Sequence, residues 1–412
     1  MPNELFDFDE FSRQVAEAFD TALETIGKFN LAVFGDSGVG KSTLVNAVFG
    51  IELAGTGIGN HQTTNVRLYR KNEDDLLGIY DTPGFEIGQG DLSMLISEVK
   101  GIVERSRQGP LAARIHAVWF VVNHHSTRFL DSHADAVRAL HDLGLPVFIV
   151  LTRVSKLGDR IDPAALTLMQ HITERGLPIA GRKIFLVNSV ETVELSGTIY
   201  PVHGLQELLD ATVETIPEAV RTAAIAAQRL DFSRQRVLSE RAIKVAVGAA
   251  FGTQLMPIGV DMAGFTLALA GMMATISVLY GVPVDKAALI NLSWKVFLGG
   301  NAAKQGAGWL AEEVARRSAE KAAKKAGQAA AKQGAKLIPG VNLVVAAVST
   351  AVAAPMMWAV GRSWMEVCEY MRTHPEEVVN ERESSYIELF LKCYRERMTD
   401  RRPTWLSRFK RD

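Results

Sequence analysis

The chain has little cysteine and no excess of either charge. Cys368 and Cys393 are the only cysteines in 412 residues, and no zinc-ligand spacing surrounds them, so we expect free thiols in a reducing compartment. Lys and Arg number 45 against 46 Asp and Glu, a balance that gives no global field to attract nucleic acid. The N-terminus shows no basic stretch followed by an apolar core, so we predict no secretory signal and expect a cytoplasmic protein.

Apolar periodicity divides the chain into three parts. Residues 1–28 carry apolar side chains at helical spacing and predict an amphipathic helix. Between 29 and 217, short and nearly continuous apolar runs alternate with amphipathic stretches, which is typical of a mostly parallel sheet with helices on both faces. Residues 218–412 read as helical and apolar, with a basic tail. We therefore predict an α/β domain followed by an all-α C-terminal domain, with the boundary near Pro217.

The segment "GDSGVGKST", residues 35–43, follows the first predicted strand and precedes a helical stretch. In this pattern, backbone N–H groups at a helix N-terminus surround a phosphate. Lys41 would contact the β- and γ-phosphates, and the Ser42 hydroxyl would bind Mg²⁺. The nucleotide contacts predicted here are Asp36, Ser37, Gly38, Val39, Gly40, Lys41, Ser42 and Thr43.

A second motif, "DTPG", ends another predicted strand. Asp81 would hold Mg²⁺ through a water molecule, and the Gly84 N–H would contact the γ-phosphate. In the polar loop between the motifs, Thr64, with Thr63 as the alternative, would close over the metal ion. Adjacent threonines before a strand are also good β-formers, so a purely structural role stays open.

Other chemistries lack a pattern in this sequence. His124, His125, His133 and His141 show no two-histidine helical spacing with a carboxylate partner, so we interpret them as loop histidines near a nucleotide site and not as metal ligands. No Gly-x-Ser-x-Gly elbow and no Ser-His-Asp arrangement occurs. Hydrolysis of substrates other than a nucleotide is therefore not predicted.

The stretch "LAVFGDSGVGKSTLVNAVFG" with "DTPGF" resembles Era-like GTPases, and the loop is similar to that of immunity-related GTPases. This resemblance implies a P-loop GTPase domain that binds GTP and GDP with Mg²⁺. Residues 225–370 resemble the apolar helical domain that follows some bacterial Era-like GTPase domains.

The resemblance also implies two base-contacting loops. The family pattern [NT]KxD aligns with Thr152, Arg153 and Ser155, and the last base-contacting loop aligns with Asn188 and Ser189. Because serine replaces the aspartate, a charged hydrogen bond to guanine of about 1.5–3 kcal/mol is missing. We predict a preference for GTP over ATP that is narrower than in relatives with the aspartate. An ATP-using P-loop protein is the alternative.

The C-terminal part raises the question of a membrane. Residues 262–284 and 337–361 contain no charge, and each is long enough to cross a bilayer. A two-span topology would place the basic segment 304–336 outside and violate the positive-inside rule. We expect core helices and peripheral attachment of the basic segment and the tail "RRPTWLSRFKRD" to an anionic membrane surface. A solvated helix and a disordered tail are the alternatives.

Phe85 occupies the position after Asp-x-x-Gly where many small GTPases carry a water-orienting glutamine. An aromatic ring cannot orient water, so we predict slow hydrolysis by the monomer, and no catalytic residue is assigned. Pairing of two GTPase domains would supply the missing group, which predicts a dimer or oligomer as partner. The sequence thus predicts a GTP-dependent switch that controls a helical effector domain, with a nucleotide-binding scaffold without turnover as the alternative.

Overall fold

The structure, a computed structural model, describes residues 8–50, 66–70, 75–82, 91–126, 128–194, 197–252, 262–282, 341–374 and 389–394. They belong to two compact units. The first is Ile26–Phe232, and the second joins Met1–Thr25 to Ser233–Asp412.

The first unit is built on a six-stranded, mostly parallel sheet. The strands of this unit are β1 (Phe29–Phe34), β2 (Arg67–Tyr69), β3 (Leu77–Asp81), β4 (Ala117–Asn123), β5 (Val147–Thr152), β6 (Lys156–Leu157), β7 (Arg160–Ile161), β8 (Phe185–Leu186), β9 (Thr192–Val193) and β10 (Ile199–Tyr200). The order in the large sheet is β2-β3-β1-β4-β5-β8, and only β2 runs antiparallel to its neighbour. The carboxyl ends of β1, β3, β4 and β5 therefore meet at one edge, where open α/β sheets bind ligands.

Helices cover both faces of the sheet. The helices among the described residues are α1 (Phe8–Ile26), α2 (Lys41–Phe49), α3 (Asp91–Arg107), α4 (Asp131–Asp142), α5 (Pro163–Glu174), α6 (Leu205–Thr215), α7 (Glu218–Ala227), α8 (Ser233–Gly252), α9 (Met262–Leu279) and α10 (Val341–Thr373). On one face, α3, α4 and α5 share a buried apolar cluster with the central strands. On the other, Trp119 stacks on Phe49 of α2 at 5.7 Å and donates a hydrogen bond to Thr212 of α6. The predicted fold class, an α/β unit followed by helices, is confirmed.

The boundaries of the two units differ from those suggested by the sequence pattern. Helix α7 contacts β1 and β3, so the first unit continues past Pro217 and the chain divides after Phe232. Most of α1 belongs to the helical unit, where the Cβ of Ala18 lies about 4.0 Å from the Cβ position at Gly271 of α9. The division into independently folding domains at 28/29 and 217/218 stays a prediction.

The helical unit has an apolar core. Helices α8, α9 and α10 contact one another, and between Leu269 and Tyr280 only Gly271 and Thr275 are half-buried while the rest are buried. This fits the interpretation of the uncharged stretch as a core helix. Within the described ranges, no helix combines the length and hydropathy needed to cross a bilayer. The basic segment 304–336 and the tail lie outside the described residues.

Several polar groups of this core form hydrogen bonds with one another. The Trp364 indole donates to the Ser277 hydroxyl at 2.9 Å, and the Tyr280 hydroxyl donates to Glu369 at 2.7 Å. Arg236 donates twice to the same carboxylate, at 2.6 and 2.8 Å. Both cysteines are free, as predicted from the sequence, and both are buried in this structure.

Candidate nucleotide site

The predicted phosphate loop lies between β1 and α2 at the carboxyl edge of the sheet. Gly35, Gly38 and Gly40 adopt φ values of 141°, 74° and 97°, which side chains rarely allow. A Cβ at Gly35 would also overlap the backbone oxygen of Val121 in β4. Glycine is therefore required for the loop to curl over the strand end, and α2 begins directly after Gly40. The loop has the geometry of an anion-binding helix N-terminus.

The side chain of Lys41 lies against the predicted phosphate loop. Its Nζ donates to the carbonyl oxygen of Gly35 at 2.7 Å and to that of Asp36 at 3.1 Å. Burial lowers the pKa of Lys41, while the negative charges of Asp81 and Asp36 act in the opposite direction. The ammonium group is thus held in a largely dry position that suits contact with phosphate oxygens.

Asp81 ends β3 beside this lysine. Burial raises the pKa of Asp81, and the charge of Lys41 opposes that shift. The next residue, Thr82, is buried and donates to the Val33 carbonyl at 2.8 Å, which ties the strand end to β1. The arrangement brings Asp81 to the phosphate loop, whereas Thr64 and Gly84 lie outside the described residues.

His133, in the first turn of α4, contacts the phosphate loop through Asp36. The ring is buried, its Nδ1 accepts from the Leu130 N–H at 3.3 Å, and its Nε2 lies 3.3 Å from Asp36 Oδ1. Because Nδ1 is an acceptor, Nε2 carries the proton and donates to the carboxylate. His133 is thus a loop support, a role that the sequence pattern did not assign.

Thr152 and Arg153, at the end of β5, are brought to the phosphate loop. The buried Thr152 hydroxyl donates to the Val39 carbonyl at 2.6 Å. The Arg153 guanidinium donates to the Gly38 carbonyl at 3.0 Å, and its backbone has a φ of 60°, rare for a non-glycine residue. These contacts connect the two loops that the resemblance assigns to base and phosphate.

The backbone of the base loop is held by further residues. The Val154 N–H donates to the Val187 carbonyl at 3.1 Å, and His203 Nε2 donates to the Val154 carbonyl at 2.8 Å. The half-buried Ser155 accepts from the Asp162 N–H at 3.0 Å through its carbonyl. The chain then turns through the β6–β7 hairpin.

The aspartates after the loop lie in different places. Asp159 is exposed in the turn of the β6–β7 hairpin, whereas Asp162 returns to the base of that hairpin and caps α5 by accepting from the Ala164 N–H at 2.8 Å. The Asp-Pro pair at 162–163 is a helix-start signal that could have been found in the sequence.

In the last predicted base loop, Asn188 and Ser189, only the Asn188 side chain forms hydrogen bonds among the described residues. The Asn188 side-chain amide donates to the carbonyls of Tyr200 and Pro201 at 3.3 and 3.1 Å, and its backbone pairs with His203. This amide therefore holds the end of β10 and the residue that follows it. The Ser189 hydroxyl is buried with no hydrogen-bond partner among the described residues.

Parts of the chain are similar to known proteins. Residues 7–89 match the family model "RsgA GTPase". The structure is similar to a probable GTP-binding protein engB, with 16% identity, a TM-score of 0.32, and coverage of 45% of this chain and 97% of that one. It is similar to Era from Aquifex aeolicus bound to GDP.AlF4-, with 17% identity, a TM-score of 0.32, and coverage of 53% and 67%.

A third similar structure is Toc33 from Arabidopsis thaliana in complex with Mg²⁺ and GMPPNP, with 15% identity, a TM-score of 0.31, and coverage of 52% and 92%. No curated protein sequence matches the chain.

Proposed function

We propose that the α/β unit, which has the fold of a P-loop GTPase domain, binds GTP and GDP and hydrolyses GTP slowly. The observation that carries the proposal is the position of Lys41. Its ammonium group lies on the Gly35 and Asp36 carbonyls at the start of α2 and interacts with the charge of Asp81. A half-buried cation at a helix N-terminus is suited to bind the phosphates of a nucleotide.

Mg²⁺ fits the same site. Burial raises the pKa of Asp81, so a divalent cation nearby would offset the cost of keeping this carboxylate ionised. Ser42 follows Lys41 at the start of α2, which suits its hydroxyl as a ligand. We assign the metal to Ser42, to Asp81 through water, and to Thr64. Bound Mg²⁺ would neutralise phosphate charge.

The residues that would contact the base support a preference for guanine over adenine nucleotides, but only a weak one. Thr152 and Arg153 are fixed on the phosphate loop, as a base contact requires. Ser155, however, offers at most a neutral hydrogen bond, and this residue favours the second candidate function, an ATP-using P-loop protein.

Titration calorimetry with GTP, GDP and ATP in Mg²⁺ separates these functions. We expect GTP and GDP to bind, and ATP to bind roughly tenfold more weakly. The ratio of affinities is small because Ser155 lacks the carboxylate that would accept the guanine N–H groups. Equal or tighter binding of ATP would favour the second candidate. A folded chain that binds none of the three nucleotides would contradict both.

We further propose that nucleotide state controls the helical unit and that the chain self-associates, with the basic segment 304–336 and the tail attaching it to an anionic membrane surface. Ordering of loops by a γ-phosphate and Mg²⁺ is a known route to such control. A second copy would provide the group that Phe85 cannot.

Turnover per molecule, measured across about a hundredfold dilution with and without anionic vesicles, tests this assembly, since a group supplied in trans is worth about 10³ to 10⁵ in rate. The rate should rise with concentration and on vesicles. A flat, fast rate would mean that the monomer has a complete catalytic set, and no turnover in any condition would favour a nucleotide-binding scaffold.

A further inference from the structure

His124 lies directly after β4 and is fully buried beneath the base loop. Its Nδ1 is 3.0 Å from the Thr152 carbonyl oxygen, and its Nε2 is 3.0 Å from Asp162 Oδ2. A carbonyl oxygen and an ionised carboxylate only accept hydrogen bonds. A neutral imidazole carries one N–H and would leave one of these contacts between two acceptors. Both contacts can be hydrogen bonds only if each ring nitrogen carries a proton.

Asp162 is the partner that keeps this charge in place. Burial would raise the pKa of Asp162, but hydrogen bonds from the Ala164 N–H and from His124 outweigh it and hold the pKa below its usual value. The carboxylate is thus ionised, and the proton between the two groups belongs to the imidazole. Attraction to an ionised carboxylate offsets part of the desolvation free energy of a buried imidazolium.

Two other groups near the ring bear on its charge. The ring of His125 lies 3.8 Å from that of His124, centre to centre. Burial, the charge of His124 and that of Arg153 lower the pKa of His125, while Asp162 opposes them. His125 is therefore neutral when His124 is charged, and Arg153 directs its guanidinium to the Gly38 carbonyl.

We propose that His124 is a positioning residue, held as an imidazolium by Asp162, that fixes the Thr152 peptide and so orients the base loop for the nucleotide. The proposal rests on nucleotide binding at this site. The carbonyl of Thr152 and the N–H of Arg153 belong to one planar peptide, so fixing the carbonyl fixes the start of the loop. Arg153 then keeps its left-handed backbone, from which it reaches the phosphate loop.

A pH dependence follows. When His124 loses its second proton, one of its two hydrogen bonds is lost and the Thr152–Arg153 peptide is released. Nucleotide affinity should therefore fall as pH rises. The expected loss is roughly tenfold, the equivalent of one charge-assisted hydrogen bond.

The Asp162→Asn variant separates charge from shape. An asparagine can still accept from the Ala164 N–H, while its amide N–H₂ donates to Nε2 of a neutral His124 whose Nδ1–H remains on the Thr152 carbonyl. In this variant a neutral ring suffices, so the pH dependence of affinity should flatten. Asp135→Asn is the matched control, because Asp135 is exposed on α4 and its carboxylate pairs with the exposed Arg138 at 3.1 Å.

The experiment uses the full chain and a fluorescent GDP. Its dissociation constant is measured from about pH 6 to about pH 9, a range that brackets the charge change of an imidazole. Nitrogen-15 NMR of the histidine rings, assigned with His124→Asn, reads the protonation state directly. We expect two protonated nitrogens at neutral pH in the parent chain and one in Asp162→Asn.

A neutral His124 in the parent chain, or an unchanged pH dependence in Asp162→Asn, would overturn the inference. If GDP fails to bind at every pH, the proposed function fails and the positioning role fails with it. The NMR signal of the ring still reports the charge of His124 in that event, so the two failures are distinguishable.

Discussion

The phosphate end and the base end of the candidate site are built differently. At the phosphate end, the contacts offered to a ligand are mostly backbone N–H groups, shaped by glycines with positive φ and completed by Lys41. At the base end, recognition depends on side chains, and Ser155 stands where the resemblance implies an aspartate. Recognition by the backbone follows from the fold, whereas recognition by side chains is lost with one substitution.

The two ends are also joined. The side chains of Thr152 and Arg153 donate hydrogen bonds to the carbonyls of Val39 and Gly38, so the base loop contributes to the shape of the phosphate loop. This connection is present although Ser155 stands where the resemblance implies an aspartate. This suggests that coupling between the loops and discrimination between bases are separate functions of one segment, which three substitutions can test.

Lys41→Ala should have the largest effect. The lysine makes charge-assisted hydrogen bonds to phosphate oxygens in the proposed complex, each worth about 1.5–3 kcal/mol, so loss of two should weaken GDP binding by about a hundredfold or more. Fluorescent GDP titration measures the loss, and circular dichroism shows that the variant is folded.

Lys100→Ala is the matched control, since Lys100 is exposed on α3 and its contact with Glu104 at 3.9 Å is also exposed. A folded Lys41→Ala variant with the GDP affinity of this control would refute the phosphate site.

Ser155→Asp should have an intermediate effect and acts on the base end alone. A carboxylate at this position can accept two guanine N–H groups, which should raise the ratio of GTP to ATP affinity about tenfold. Competition of each nucleotide against fluorescent GDP measures the ratio. Ser155→Asn is the control, because it has nearly the same size without the charge. An unchanged ratio in both variants would mean that the base is read elsewhere.

The phosphate end could be predicted from the sequence because its parts are adjacent. One strand, one glycine-rich segment and one helix occur within residues 29–49, and local rules assign each of them. The supports of the base loop could not be predicted, because His124, Asp162 and His203 come from separate segments that only the folded sheet brings together. A histidine pattern alone cannot distinguish a buried loop support from a solvated residue.

The end of the first compact unit could not be predicted from the sequence, for a similar reason. Helix α7 follows Pro217 and has the Ala-rich composition of the helices after it, so the sequence pattern places it with them. Its side chains at Ala223, Ala224 and Ala226 are buried, and the helix contacts β1 and β3. Small apolar residues suit either a helical core or a sheet face, and only tertiary packing decides between them.

Thr152→Val should have the smallest effect and tests the connection between the ends. Valine keeps the shape of threonine but removes the hydroxyl that donates to the Val39 carbonyl at 2.6 Å. A buried carbonyl that loses its partner costs about 1–3 kcal/mol in the free energy of unfolding. If about 1 kcal/mol of this appears in binding, GDP affinity should fall roughly fivefold. Thr167→Val is the control, since its hydroxyl donates to the Pro163 carbonyl at 2.9 Å on the exposed side of α5. Chemical unfolding and GDP titration of both variants measure the free energy of unfolding and the GDP affinity.

Because the lost bond is to the phosphate loop and not to the base, affinities for GTP and ATP should fall together and their ratio should stay constant. A changed ratio with unchanged GDP affinity would instead place Thr152 among the base contacts and leave the two ends uncoupled.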